Sequence, residues 1–200
     1  MVENIVLLLA AYCIGSIPFG VVVVHFFGKG DLQKLGSGNI GATNVVRTQG
    51  KWLGGLVFFL DASKGVLLCA IAAMLGVGDC LLAWVGFCAV LGHCFSCFLR
   101  FQGGKGVATS LGIFLFLTPP IGFLSAVLWV CLFYFSRISS LSSLVSFACA
   151  PILVWFLPEY SAYAMAYSGI FLVVIIRHYG NIMRLIQGTE PTFKGNARKS

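Results

Sequence analysis

The sequence predicts an all-α polytopic membrane protein, a bundle of seven transmembrane helices with its N-terminus outside and its C-terminus in the cytoplasm. Three observations predict it. Of the 200 residues, 59% are hydrophobic and 10% charged, with a mean hydropathy of +0.97; a soluble domain carries about 25% charged residues, so this chain cannot clothe a water-facing surface. Apolar stretches approaching the roughly 20 residues that cross a bilayer recur between turn signals. The cations gather on one side of the resulting count, as cytoplasmic loops require.

The spans follow in order. The first runs over residues 5–27; Met1-Val2-Glu3-Asn4 lacks the basic n-region of a secretory signal, so this segment reads as a retained span. The second covers 53–76 and the third 80–99, separated by Gly76-Val77-Gly78-Asp79. The fourth, 107–117, is short, and its start falls in a glycine-rich segment. The fifth covers 121–135 after Pro119-Pro120, the sixth 141–157, and the seventh 162–176 after Pro158-Glu159. A five-span alternative with re-entrant segments breaks the charge pattern. Lys29, Lys34, Arg47, Lys51, Arg100, Lys105, Arg137, Arg177, Arg184, Lys194, Arg198 and Lys199 fall on the inner side of the seven-span count, and Glu3, Asp79 and Glu159 on the other. Residues 1–200 are read as a single integral membrane domain. The net charge of +7 is spread through short loops beside spans, which excludes a basic nucleic-acid-binding module. The eight cysteines sit mostly in apolar stretches and form no disulfide framework.

Three polar segments interrupt the oil, and the count puts all three on the cytoplasmic side. In the first, Gly36, Gly38 and Gly41 lie among Ser37, Asn39, Thr43, Asn44 and Arg47. Glycine lets backbone N–H groups approach a ligand, a helix beginning near Ala42 adds a favourable dipole, and Arg47 supplies a bidentate fork for phosphate. Gly-Ser-Gly-Asn alone reads equally as a solvated turn; Arg47, the two Asn and Thr43 tilt it towards an anion site. In the second, Gly103-Gly104-Lys105-Gly106 places Gly where a Walker loop needs Ser or Thr; it reads as phosphate held by N–H groups and the Lys105 ammonium, or as a loop with a topology-setting lysine. His93 precedes it at a helix end, where histidine is more often a structural hydrogen-bonder than a catalyst. Cys94 and Cys97 make a lone CxxC with no second pair, so no metal site is read. In the third, His178, Asn181 and Arg184 share one helix face by their three-residue spacing, and Glu190 follows. That face can hydrogen-bond a polyol phosphate or serve as a juxtamembrane cap, with Glu190 bracing Arg184. Asp61 and Lys64, three residues apart inside the second span, can pair on one face and brace or line the site. Serines 139, 140, 142 and 143 follow Arg137 and can reach a substrate or cap a helix.

These three motifs, in this order and spacing, together with Asp61-x-x-Lys64-Gly65 and the opening Gly15-Ser16-Ile17-Pro18, resemble the bacterial acyl-phosphate:glycerol-3-phosphate acyltransferases, the PlsY family, over essentially the whole chain. The resemblance implies a seven-span enzyme of the bacterial inner membrane with its active site at the cytoplasmic face. It implies transfer of a fatty acyl group from acyl phosphate to the sn-1 hydroxyl of glycerol 3-phosphate, the first acylation of phospholipid synthesis, giving lysophosphatidic acid and phosphate. By motif match it implies Lys105, Arg47, His178 and Asn181 as the catalytic set. Ser37, Asn39, Gly41, Thr43, Asn44, His93, Gly104, Gly106, Ser140, Ser143 and Glu190 are implied as substrate contacts. No metal and no cofactor are implied; the partners are acyl phosphate, glycerol 3-phosphate and membrane lipid. Two positions depart from the family's habit: Ser96 where Pro is common, and Gln102 where Lys is common.

The familiar glycerolipid acyltransferases pair His with Asp four residues apart, a spacing absent here, so activation falls to the mixed anhydride itself. Placement against the hydroxyl and stabilisation of the leaving charge then do the rest, with a substrate phosphate oxygen or His178 receiving the proton. A small organic-phosphate transporter would share basic, glycine-rich sites, but repeated halves are not evident. A non-catalytic scaffold leaves the polar segments unexplained.

Overall fold

The computed structural model describes residues 2–193; the expected topology anchors Lys194, Arg198 and Lys199 lie outside them. Among the described residues the chain is helical, without strands. Ten α-helices follow in order: α1 Val2–Gly15, α2 Phe19–Phe27, α3 Ala42–Gln49, α4 Lys51–Met74, α5 Asp79–Cys94, α6 Val107–Leu117, α7 Pro119–Ser136, α8 Ser139–Phe156, α9 Ala164–Arg177 and α10 Tyr179–Ile186. Six apolar segments among the described residues are long enough to cross a membrane, and the protein is a multi-pass membrane protein.

The first expected span is broken. Pro18 has no N–H to continue a helix, and α1 stops at Gly15 before α2 restarts at Phe19. Backbone freed inside a membrane needs partners, and side chains supply them. Lys64 donates to the Ile17 carbonyl at 3.0 Å, and Ser96 Oγ to the Ser16 carbonyl at 2.6 Å. The residue that departs from the family's proline therefore ties the end of α5 to the α1–α2 break.

The fourth expected span is only 11 residues, about 16 Å of helix against a hydrocarbon core of about 30 Å. It begins where Gly106, at φ 83°, turns the chain into the helix. Gly106 also lines the cavity described below. Glycines let α6 sit close to α4: a Cβ on Gly65 would meet the Thr109 carbonyl, and one on Gly112 the Ala62 carbonyl. The two prolines read as a separator do stand between α6 and α7, and they also begin α7, where a missing N–H costs nothing. The main core packs Phe114, Phe147 and Tyr167 among α5, α6, α8 and α9, with Phe114 and Tyr167 ring centroids 4.4 Å apart. A smaller core gathers Val23, Val24, Ile40, Val45 and Val57 under the glycine-rich loop before α3.

Candidate active site

The loop before α3 is shaped by two asparagines. Gly36 and Gly38 take φ of 59° and 71°, which glycine adopts without penalty. Asn44 then knits the loop from inside: its Oδ1 accepts from the Ser37 N–H at 2.9 Å, and its Nδ2 donates to the Leu35 and Asn39 carbonyls at 3.0 and 2.9 Å. Asn39 Oδ1 accepts the Gly41 N–H at 2.8 Å. The protein contacts of both side chains thus go to the loop's own backbone. The helix begins at Ala42, as expected, with Gly41 as a cap residue that offers no side-chain acceptor; the first N–H groups of a helix have no intrahelical partner, an environment that favours anions. Thr43 Oγ1 lies 3.1 Å from Ser139 Oγ, joining α3 to α8.

The second loop is held from both sides. Gly103 and Gly104 donate their N–H groups to the Cys94 and His93 carbonyls at 3.1 and 2.9 Å. Arg177 donates to the carbonyls of the same two glycines, 2.9 Å to Gly104 and 2.7 Å to Gly103. A Cβ on Gly104 would fall on the His93 imidazole. Lys105 emerges from this clamp and donates to Asn181 Oδ1 at 2.5 Å. Burial pushes its ammonium down to about 8, with Glu190 opposing and Arg184, Arg177 and Arg47 reinforcing.

The third segment closes the site. His178 donates its Nδ1–H to the Val174 carbonyl at 2.8 Å, which leaves Nε2 as an acceptor. Burial, with repulsion from Lys105, lowers its pKa to about 4, so the imidazole is neutral at physiological pH. Asn181 donates to Glu190 Oε1 at 2.5 Å, as does Ser140 Oγ at 2.6 Å, while Arg184 Nε donates to Oε2 at 2.7 Å. Burial raises the Glu190 pKa, but these three donors outweigh it and hold the carboxyl below its usual range. Lys105, Asn181, Glu190, Ser140 and Arg184 thus form one network spanning three segments of sequence.

Beneath it, Lys64 Nζ lies 3.0 Å from Asp61 Oδ1 and donates to His93 Nδ1 at 3.0 Å. An ammonium has no acceptor, so the His93 proton sits on Nε2. The nearest histidine–carboxylate approach, His93 Nδ1 to Asp61 Oδ1 at 3.4 Å, therefore makes no acid–base dyad.

Apart from Lys64 and Arg177, the charged and histidine side chains described above share one cavity of about 900 Å³. Of the expected site residues, Ser37, Asn39, Gly41, Thr43, Asn44, Arg47, His93, Lys105, Gly106, Ser140, Ser143, His178, Asn181 and Glu190 line it. Gly104 does not: its backbone serves Arg177 and the His93 ring. Gln102 is exposed and outside the lining, so the second departure leaves the cavity's own cations in place. Ser143 Oγ donates to the Ser139 carbonyl and accepts from the Trp129 indole N–H, both at 2.9 Å. Sequence reasoning missed the apolar half, formed by Phe58, Leu111, Trp129, Val130, Phe133 and Phe147. It also missed Pro191 and Phe193. Trp129 and Phe133 were detectable as an i, i+4 aromatic pair on one helix face; Phe193 carries no such signal.

Residues 5–188 match the family described as glycerol-3-phosphate acyltransferase. Relatives include the glycerol-3-phosphate acyltransferase of Jannaschia sp. strain CCS1, 46% identical over 184 residues covering 92% of this chain and 89% of that one. That of Syntrophotalea carbinolica is 45% identical over 195 residues, covering 97% and 100%. The fold is similar to the crystal structure of PlsY (YgiH), an integral membrane glycerol 3-phosphate acyltransferase, in its glycerol 3-phosphate form: TM-score 0.90, 38% identity, 96% of each chain covered. Its lysophosphatidic acid form gives 0.88 and 36% over the same shares.

Proposed function

Because the chain belongs to the glycerol-3-phosphate acyltransferase family, we propose that it moves a fatty acyl group from acyl phosphate to the sn-1 hydroxyl of glycerol 3-phosphate, releasing lysophosphatidic acid and inorganic phosphate. The carrying observation is a single cavity with a cationic, hydrogen-bonding mouth and an aromatic, apolar interior. That division suits one small dianion from water and one amphiphile from lipid. The apolar row from Phe58 to Phe133 takes the acyl tail. The α3 N-terminus with its glycine loop takes the acyl phosphate, and Arg47, Lys105, Asn181 and Ser140 take glycerol 3-phosphate.

In this reading the hydroxyl oxygen attacks the acyl carbonyl, an ester C–O bond forms, and the anhydride C–O bond breaks with its electron pair leaving on phosphate. Lys105 and backbone N–H groups stabilise the departing charge. The hydroxyl proton passes to a phosphate oxygen. A base works best with its pKa near operating pH, and a neutral His178 at about 4 falls well below that; its free Nε2 instead orients the hydroxyl. A positioned general base contributes about 10²–10⁴-fold. His178→Gln is therefore expected to retain more than about one hundredth of the wild-type kcat, with an unshifted pH profile; a deeper loss restores His178 as the base.

We place the reaction at the cytoplasmic face of a bacterial inner membrane. Arg47, Lys51, Lys105, Arg137, Arg177 and Arg184 all belong to the loops and helix ends around the mouth, as the positive-inside rule favours. Helix α6 with its glycine-rich approach makes the seventh crossing, so the termini lie on opposite sides. The test compares acyl phosphate, acyl-CoA and acyl carrier protein as donors to the purified protein in detergent. Phosphate should appear only with acyl phosphate and glycerol 3-phosphate together. Equal turnover of acyl-CoA overturns the donor, and turnover without glycerol 3-phosphate overturns the acceptor.

A further inference from the structure

The cavity mouth is crossed by residues 188–193, which extend past the family match at residue 188. Gly188, at φ 67°, ends α10 and turns the chain back over the site, with Thr189 donating its N–H to the Arg184 carbonyl at 2.8 Å. Glu190 is gripped by Ser140, Asn181 and Arg184. Pro191 offers its carbonyl to Arg47 Nη2 at 3.3 Å. Phe193 then ties down the far end, donating its N–H to the Arg137 carbonyl at the end of α7 at 2.6 Å.

The Phe193 side chain does two things at once. The Arg47 guanidinium carbon sits 5.2 Å from its ring centroid. Its ring also meets Phe133 edge-on, with centroids 5.7 Å apart, and Phe133 stacks on Trp129 at 4.9 Å. The aromatic wall of the apolar half therefore ends under the guanidinium. The Arg47 side chain is exposed, and its hydrogen bond to Pro191 is long; the ring is what limits where that long, flexible cation can lie.

We propose that Phe193 is a positioning residue for Arg47, setting the guanidinium over the mouth so that it meets the phosphate of glycerol 3-phosphate. This rests on the reading of Arg47 as a holder of that phosphate. A guanidinium over an aromatic face is worth a factor of about 2 to 30 in affinity, depending on its desolvation. Both Phe193→Ala and Phe193→Leu should raise the KM for glycerol 3-phosphate by that factor. The KM for acyl phosphate and kcat should move less. Phe193→Trp keeps a π face and should restore KM to within about twofold of wild type. The same ranking should appear in the rise of unfolding temperature that glycerol 3-phosphate induces in detergent. A wild-type KM in Phe193→Leu, or a Phe193→Trp variant as impaired as the alanine one, overturns the proposal; the leucine–tryptophan comparison decides it if the alanine variant fails to fold. Arg47→Gln separates the two levels. If it abolishes the glycerol 3-phosphate-induced shift while the Phe193 variants behave as wild type, only the role of Phe193 fails. If it leaves the shift intact, the reading of Arg47 falls with it.

Discussion

Replacing Lys105 with alanine is expected to lower kcat/KM for lysophosphatidic acid formation by about 10²–10³-fold, the effect of deleting one preorganised donor at a developing charge. Lys105 earns this rank by its surroundings. It leaves a loop whose carbonyls are already held by Arg177, and its Nζ is aimed by Asn181. Burial and three nearby guanidinium groups bring its pKa to about 8 despite Glu190. The sign fixes a second outcome. In the proposed reading the charged form holds phosphate, and it prevails below pH 8; as pH rises through about 8 the free enzyme loses that proton, and kcat/KM, which reports free-enzyme groups, falls. Lys105→Arg stays charged throughout the accessible range, so its alkaline limb should vanish even though a fork replaces a point charge. Steady-state rates from pH 6 to 10 check both outcomes. Retention within tenfold in Lys105→Ala, or an unchanged alkaline limb in Lys105→Arg, removes Lys105 from the proposed phosphate contacts.

The helical membrane class was legible because composition and apolar segment length report burial in lipid directly. The three motifs stood out because Asn, Lys and Arg are costly inside a bilayer unless they face a polar site, and residues from all three line one cavity. What escaped was whatever depends on two segments meeting. The α1–α2 break at Pro18 was hidden by unbroken hydropathy, because its freed carbonyls are satisfied by Lys64 and Ser96, 47 and 80 residues away. The fourth span read as merely short, whereas close glycine contacts bury it as a half-length helix beside α4. Gly104 looked like its neighbours in the loop, yet it packs on His93; only the three-dimensional arrangement separates a glycine that approaches a ligand from one that approaches a ring. The pairing of Asp61 with Lys64 was visible at i, i+3, but not its third member, His93.

That triad carries the second large prediction. The side chains of Asp61 and Lys64 are each only 3% exposed, so removing one partner leaves a bare charge. Asp61→Leu and Lys64→Met are each expected to destabilise the fold by about 3–5 kcal/mol. The double variant Asp61→Leu/Lys64→Met fills the space with apolar groups and should be more stable than the sum of the singles predicts, because the bare charge is gone. It does not return to wild type: the Ile17 carbonyl at the helix break loses its donor, a cost of about 1–3 kcal/mol. Activity should not follow stability back. His93 loses the contact that keeps its proton on Nε2, and the ring on which Gly104 packs is released, so the loop that carries Lys105 is no longer held in register with Asn181. Unfolding temperatures in detergent and acyl-transfer rates, measured on the three variants, separate the two effects. Additive destabilisation in the double variant denies that the charges are coupled. Full activity in a refolded double variant denies that the buried cluster positions the site, and reduces it to a staple for the α1–α2 break.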